Sequence, residues 1–561
     1  MIRLLLFLLC TSLVTPVAAI DPDAWIEADL EDPGITGAVL AVVHEGQIIH
    51  LNGYGTADRG GNYPLDPNGT LLPIGSVTKL FTWKAMEQLA DEGRLDLNGD
   101  VNLYLPEPII PPTYPDPITP IHLMTHTSGL DERITGLFVR DPAELLSPYE
   151  TFLKNQPPRV RPAGHVAAYS NSGALLAGAL IEEVSGMTYS QYIRETILTP
   201  YGMSSTGFDP LPPFLAARYP GPALTGGISL YPAPLPAGGM YATAEDMAIF
   251  MMHELESDNE YEQIFTHDPR LPGITEGGYM EQYRGDTRIL MHSGDVPGAS
   301  SLLAIIPEED LGIFICYTGT GGSSRRYDLL SLFTGDAAPG AAITDPVPGS
   351  KEEYAGTYLS TRSPETGFEA FIRVVAPARK VITVTAKDDS LIIGDGRYIE
   401  AEPGYFLGIN TPGQLVFETR EGDNWLFMGE TPMIAWRRAV WYEVPDLHLA
   451  LLIIFSGLFL SAALIGGLRT LKGEEYRVII LLSGLAALFP ILFFGSMEVS
   501  GLLFGPPAFF GIILWMPMAI AVLLLFSGRS LLKKKEGRLL AALLILYLGW
   551  LQYWGLLIPF G

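Results

Sequence analysis

The feature that most restricts what this chain can fold into lies at its C-terminal end. Four apolar runs of membrane-spanning length follow one another there, at about Leu447–Leu468, Val478–Met497, Pro507–Phe526 and Leu539–Ile558. Everything before them is polar enough to live in water, and the whole chain carries a formal charge of −27. The protein is therefore expected to occupy two solvents. The loop between the first two runs holds Arg469, Lys472 and Arg477, and the loop between the last two holds Arg529, Lys533, Lys534, Lys535 and Arg538. The middle loop, Glu498 to Pro506, has no basic residue. The positive-inside rule places both basic loops in the cytoplasm, and with them the start of the first run and the C-terminus outside. Trp436, Trp441 and Tyr442 before the first run, and Trp550, Tyr553 and Trp554 near the end of the fourth, suit interfacial belts. The run interiors lack charged groups, so four transmembrane helices are expected as an anchor or a docking bundle for a membrane-protein partner, not a transport path.

The N-terminus speaks for the same orientation. Arg3, the apolar stretch Leu4–Leu9 and the small residues Val17-Ala18-Ala19 read as a secretory signal cleaved after Ala19. The strong acidity excludes nucleic-acid binding, which needs clustered Lys and Arg. Of two cysteines, Cys10 lies in the signal, so no disulfide framework or cysteine zinc site is available. Cys316, inside the strand-like run Leu311–Tyr317, reads as a small core residue.

At 561 residues the chain needs several structural units. The expected division is a signal at 1–19, a large domain at 20–345, a small all-β domain at 350–440 and the membrane region at 446–561. Ala38–Val43, the turn His44-Glu45-Gly46 and Gln47–Leu51 read as a hairpin; Ser301–Ile306, Pro307–Asp310 and Leu311–Tyr317 read as another. Helical patterns such as Leu80–Leu89 and Ala174–Val184 lie between them. This predicts an α/β (α+β) domain: one antiparallel sheet closed by both chain ends, with helices on both sides. A Pro/Gly-rich linker, Ala337 to Gly349, leads to short alternating segments up to Val440 that read as a barrel or sandwich without a catalytic constellation.

Chemistry points first to Gly75-Ser76-Val77-Thr78-Lys79. If Ser76 opens a helix, Ser76 and Lys79 share a face. A serine hydroxyl becomes a nucleophile once a base takes its proton, and a lysine whose charge is suppressed by burial can be that base. The motif is weak alone: Ser-x-x-Lys arises by chance roughly once or twice in such a chain, and Ser530 with Lys533 repeats it. Its company is more specific. Tyr169-Ser170-Asn171 follows, and then His292-Ser293-Gly294-Asp295 before a strand. His122 and His126 lack the adjacent glutamate of a zinc-protease motif and read as packing or helix-end residues.

A nucleophile helix, a Tyr-x-Asn loop and a cation/hydroxyl/Gly strand, in that order, resemble the serine β-lactamase-related hydrolases (class C β-lactamases and penicillin-binding-protein-like enzymes). The segments Ile121–Leu130 and Pro236–Met247 also look like that family's. The resemblance covers about Ile35 to Tyr317, and the β segment is similar, more loosely, to appended lipocalin-like domains. It implies that Ser76 forms an acyl-enzyme, that Lys79 activates it and that Tyr169, poised by nearby positive charge, is the general acid/base. It further implies substrate binding by Asn171, His292, Ser293 and Gly294, and an oxyanion hole from the backbone N–H groups of Ser76 and Asp295. No cofactor or metal is implied. Asp295 stands where glycine is common, and its carboxylate would repel an anionic substrate. The expected protein is a multi-pass membrane hydrolase with its catalytic domain outside, acting on D-amino-acid peptides, β-lactams or short esters. The alternative is a sensor ectodomain that binds ligand without turnover.

Overall fold

The computed structural model describes residues 21–57, 64–208, 231–257, 259–335, 346–378, 380–496, 504–505 and 509–557. The expected signal segment and most of the Pro/Gly-rich linker lie outside the described residues.

The two hairpins predicted from sequence are neighbours in one sheet. Its antiparallel order is Gln47–Gly55, Ile35–His44, Leu311–Gly319, Ala299–Ile306, Thr287–Val296, Met280–Arg284, Ile274–Thr275 and Gln263–Phe265. The first hairpin turns at Glu45 and Gly46, both with positive φ (50° and 66°), the geometry that matches strand twist. The strand Ile35–His44 pairs in turn with Leu311–Gly319, Val39 opposite Cys316, so the chain's early and late segments close the sheet together. All nine residues of Leu311–Gly319 are buried because both sheet faces are covered. One face packs Leu40, Val42 and Ile315 against Ile26 of the helix Asp23–Asp29 and Leu329 and Leu330 of Gly322–Thr334. The other packs Val39, Ala41 and Phe314 against Phe81 of Thr78–Asp91 and Phe250 and Met251 of Ala244–Glu256. Cys316 is in that second core, as its apolar run suggested.

The β segment is an up-and-down closed barrel. Eight strands between Gly356 and Arg438 pair each with the next, and the last, Ala435–Arg438, pairs with the first, Gly356–Ser360. Leu391, Phe406, Leu415 and Leu426 fill it. Its outer face, through Trp425 and Phe427, packs on Val166 and Leu271 of the large domain, and the His267 ring stacks on Phe427 at 4.3 Å.

The C-terminal bundle departs from expectation in number. Three helices among the described residues are long and apolar enough to cross a membrane: Pro445–Leu471, Arg477–Ser496 and Phe510–Leu531. The fourth run folds as Lys535–Tyr553, which opens on Lys535, Glu536 and Arg538 and closes on Gln552 and Tyr553. Its polar ends leave too short an apolar stretch, and Leu540, Leu544, Tyr547 and Leu551 are buried against the other helices. Outward residues of the first helix, such as Ile453, Leu460 and Leu464, are large, apolar and exposed, which points to membrane association.

Candidate active site

Ser76 does not open the long helix; it sits in a 3₁₀ turn, Gly75–Val77, that feeds the helix Thr78–Asp91. Close packing of two glycines sets the turn against the sheet. Gly75 has φ +52°, and a Cβ there would come within 3.0 Å of the Asp295 backbone nitrogen. A Cβ on Gly294 would collide with the Ile74 carbonyl oxygen. Ser301 Oγ donates to that same oxygen at 2.7 Å. The strand Thr287–Val296 is thereby held edge-on to Ser76, with the Asp295 N–H beside it.

Lys79 lies one turn on and is completely buried. Its Nζ is 3.2 Å from Ser76 Oγ, 2.9 Å from Asn171 Oδ1 and 2.6 Å from the Ala237 carbonyl oxygen. Burial, reinforced by the Arg362 charge and opposed by Glu132, holds its pKa well below that of an ordinary lysine. A neutral amine donates two N–H bonds, here to Asn171 and Ala237, and its lone pair then faces the Ser76 hydroxyl. Asn171 begins the helix Asn171–Ser185, capped by Ser170 Oγ, which accepts from Gly173 N–H at 2.9 Å. Asn171 spans two groups: its Oδ1 accepts from Lys79 and its Nδ2 donates to Glu132 at 3.4 Å.

Tyr169 is nearly buried, with the Lys79 amine 4.7 Å from its ring centre and the His126 ring centroid 4.4 Å away. The nearby positive charge is present but does not prevail. Burial pushes the phenol up to about 12, against the Arg362 charge and a hydrogen bond with Ser76. Tyr169 therefore enters any reaction protonated. His126, with φ +57°, accepts from Ser170 N–H at 3.3 Å, and burial keeps its imidazole neutral; His122 caps its own short helix. His292 Nδ1–H donates to the Ser293 carbonyl at 2.9 Å, and burial lowers its pKa to about 3. Its buried Nε2 has no partner among the described residues. Ser293 and Gly294 continue the strand beside it, Gly294 opposite Ser301.

The Asp295 carboxylate is held by four donors. Arg326 grips it with Nη1 at 2.9 Å and Nη2 at 2.8 Å, and Ser300 and Ser323 hydroxyls donate at 2.9 and 3.0 Å. Burial would raise its pKa, but these donors hold it below the usual range. This pairing offsets part of the charge expected from sequence, which still reaches the Tyr169 phenol and raises its pKa.

Two residues that bear on the site escaped the sequence reading. Glu132 is buried behind Asn171, and burial raises its pKa to about 7 despite Arg362 and Lys79. Arg362 comes from the barrel, at the start of the connector after Gly356–Ser360, and lies 4.3 Å above the Tyr169 ring. The barrel grips the tyrosine loop twice more. Thr361 Oγ1 donates to the Ala167 carbonyl at 2.9 Å, and Tyr169 N–H donates to the Met433 carbonyl at 2.9 Å. The β domain, read from sequence only as a barrel or sandwich without a catalytic constellation, forms part of the site's wall. Nothing local in the sequence signals this, since Arg362 and Tyr169 are far apart in the chain.

The beta-lactamase family model matches residues 22–333, more than half of the chain. The chain belongs to the beta-lactamase family. Its relatives include the D-alanyl-D-alanine-carboxypeptidase/endopeptidase AmpH of Escherichia coli K12, 28% identical over 359 residues, 56% of this chain and 91% of AmpH. Protein flp of Staphylococcus aureus N315 is 27% identical over 310 residues, covering 52% of this chain and 61% of flp. Among solved structures, that of SurE with D-Leu aligns with a TM-score of 0.51 at 22% identity, over 74% of this chain and 98% of SurE. This beta-lactamase-family chain is a serine hydrolase with the family's antiparallel sheet and a small added barrel.

Proposed function

We propose that this chain is a membrane-anchored, extracytoplasmic hydrolase that cleaves amide or ester bonds through an acyl-enzyme on Ser76. The observation that carries the reading is the buried Lys79 amine 3.2 Å from the Ser76 hydroxyl, its other two bonds taken by Asn171 and Ala237. As Ser76 attacks a carbonyl carbon, its proton passes to Lys79. Negative charge developing on the carbonyl oxygen meets the backbone N–H groups of Ser76 and Asp295; each aligned donor contributes about 10²–10³ in rate. The protonated Tyr169 phenol delivers a proton to the leaving group, and the proton that Lys79 took from Ser76 replaces it on the phenol. Water then attacks the acyl ester with the same groups reversing roles. The relative AmpH, named as a D-alanyl-D-alanine-carboxypeptidase/endopeptidase, makes D-alanyl peptides the first substrates to try.

The orientation rests on the bundle. Both basic loops gather at one end, where Arg469 meets Glu536 at 3.1 Å and Lys534 meets the Glu475 carbonyl at 2.7 Å. The opposite end carries His448 Nδ1, which accepts from the indole N–H groups of Trp550 (3.0 Å) and Trp554 (3.2 Å), near the barrel. Basic end in, aromatic end out, supports a hydrolase and barrel on the outer side. Full-length protein in detergent should take up a fluorophosphonate at Ser76 and turn over D-alanyl peptides or short esters, both abolished in Ser76→Ala. Absence of labelling in the wild type refutes the reading.

One observation favours a second reading, a ligand sensor. The connector that carries Arg362 also sends Phe371 into the bundle, 5.1 Å from Trp554 and 5.7 Å from Trp550. A sensor would label once and stay acylated, so a stoichiometric burst without turnover separates the two.

A further inference from the structure

The cations around the cleft are not equally free. Lys79 is enclosed and committed to three neighbours. Arg326 is spent on Asp295 and on the carbonyls of Gly294 (2.9 Å) and Ser301 (3.0 Å). His292, on the strand beside the nucleophile, offers a bare Nε2 acceptor, because its Nδ1–H is given to Ser293. That atom suits a substrate N–H or O–H and repels a carboxylate. Arg362 differs from all of these. Its side chain is exposed, its guanidinium carbon lies 4.3 Å from the centre of the Tyr169 ring, and no carboxylate among the described residues pairs with it. The one acid it influences strongly, Glu132, is buried and bound to Asn171. Lys380 closes the same connector, its carbonyl accepting from Ser360 N–H at 2.9 Å, and it feels the Arg362 charge.

We propose that Arg362, supplied by the barrel, is the receptor for a carboxylate on the leaving-group side of the substrate. An exposed guanidinium without a carboxylate partner has its N–H edge to offer, and that planar edge matches a carboxylate with two parallel bonds. It sits over Tyr169, the residue that protonates the leaving group in the reading above, so the anion bound there belongs to the departing fragment. The hydrolase domain alone would lack this recognition; the barrel is a specificity element. The assignment of side rests on the acyl-enzyme reading above, while the carboxylate receptor does not.

The test uses full-length Ser76→Ala protein in detergent, which binds without turnover. Calorimetric affinities are measured for N-acetyl-D-alanyl-D-alanine and for its C-terminal carboxamide. The acid should bind about tenfold or more tighter than the amide, as expected for a charge-assisted pair. In Ser76→Ala/Arg362→Gln the two affinities should converge, with the amide's nearly unchanged. Equal affinities in the first protein, or a preference that survives Arg362→Gln, overturns the proposal. Failure of the acyl-enzyme reading shows separately, as absent fluorophosphonate labelling of wild-type Ser76.

Discussion

The connector between the first two barrel strands should be detachable from the hydrolase domain by one atom-for-atom change, Asp131→Asn. Asp131 is fully buried and organises the contact. Its Oδ1 accepts from Glu132 N–H at 3.0 Å and Glu365 N–H at 2.9 Å. Its Oδ2 accepts from Thr366 N–H at 3.0 Å and from the Thr366 hydroxyl at 2.6 Å. An asparagine keeps one acceptor oxygen and turns the other position into a donor facing a donor. The hydroxyl can rotate to accept, but one backbone N–H is left unmet. A buried unmet donor costs about 1–3 kcal/mol, and Thr366 is only partly buried, so roughly 2 kcal/mol is expected. At a factor of ten per 1.4 kcal/mol, opening of the connector becomes about 30-fold more frequent. Hydrogen exchange read by mass spectrometry should then quicken about 30-fold for amides of residues 361–369, while core barrel strands such as Gln414–Arg420 keep their protection. Because Arg362 travels with the connector, the acid limb of activity should shift in the direction given below for Arg362→Gln. Uniform quickening across the barrel, or none in the connector, refutes the idea of a local clasp.

Charge neighbours of Lys79 should move the low-pH limb of kcat/KM in opposite senses. Arg362 lowers the Lys79 pKa, so Arg362→Gln raises it and the limb moves to higher pH; Glu132 raises it, so Glu132→Gln moves the limb lower. Steady-state pH profiles on a small neutral ester check both signs. Gly294→Ala should push the strand off the Ser76 turn and cut the rate of fluorophosphonate labelling at least tenfold, with overpacking that costs about 1–3 kcal/mol seen as a lower Tm. Phe371→Ala removes a ring that meets Phe494 at 5.6 Å and Trp554 at 5.1 Å; loss of about 3–5 kcal/mol of packing should expose the barrel–bundle joint to limited proteolysis.

Local pattern carried much of the architecture. Alternation and turn residues revealed both hairpins, because a strand buried on two faces, such as Leu311–Gly319, must be apolar throughout. Order and spacing brought Ser76, Lys79, Tyr169 and Asn171 together as candidates, since each sits at the start of a helix or just before one. The fourth apolar run misled because its bounds are not those of its helix: the helix opens on the charged turn Lys535, Glu536 and Arg538 and ends at Tyr553, before the run does. The pairing of Asp295 was not legible for a different reason. Its partner Arg326 stands on the helix Gly322–Thr334, and only the packing of that helix on the sheet brings the two together.

Arg362 illustrates the general limit most sharply, and also explains why the barrel exists in this chain. Burial lowers the Lys79 pKa and the Arg362 charge adds to that, yet a cation placed on the same helix or strand would be buried too and would need a counter-ion, as Arg326 does. Supplying the charge from a separate domain solves this, because the guanidinium can remain half in water while it lies over the Tyr169 ring. The cost is that the two domains must stay in register at the tyrosine loop. The observed contacts meet that demand: Thr361 and Met433 fix the loop's backbone, and Asp131 fixes the connector's far side. Phe371 then ties the same connector to the aromatic end of the bundle. Bundle, barrel and nucleophile are consequently linked through a single stretch of chain, the one that carries Arg362, whose charge adds to burial in lowering the Lys79 pKa.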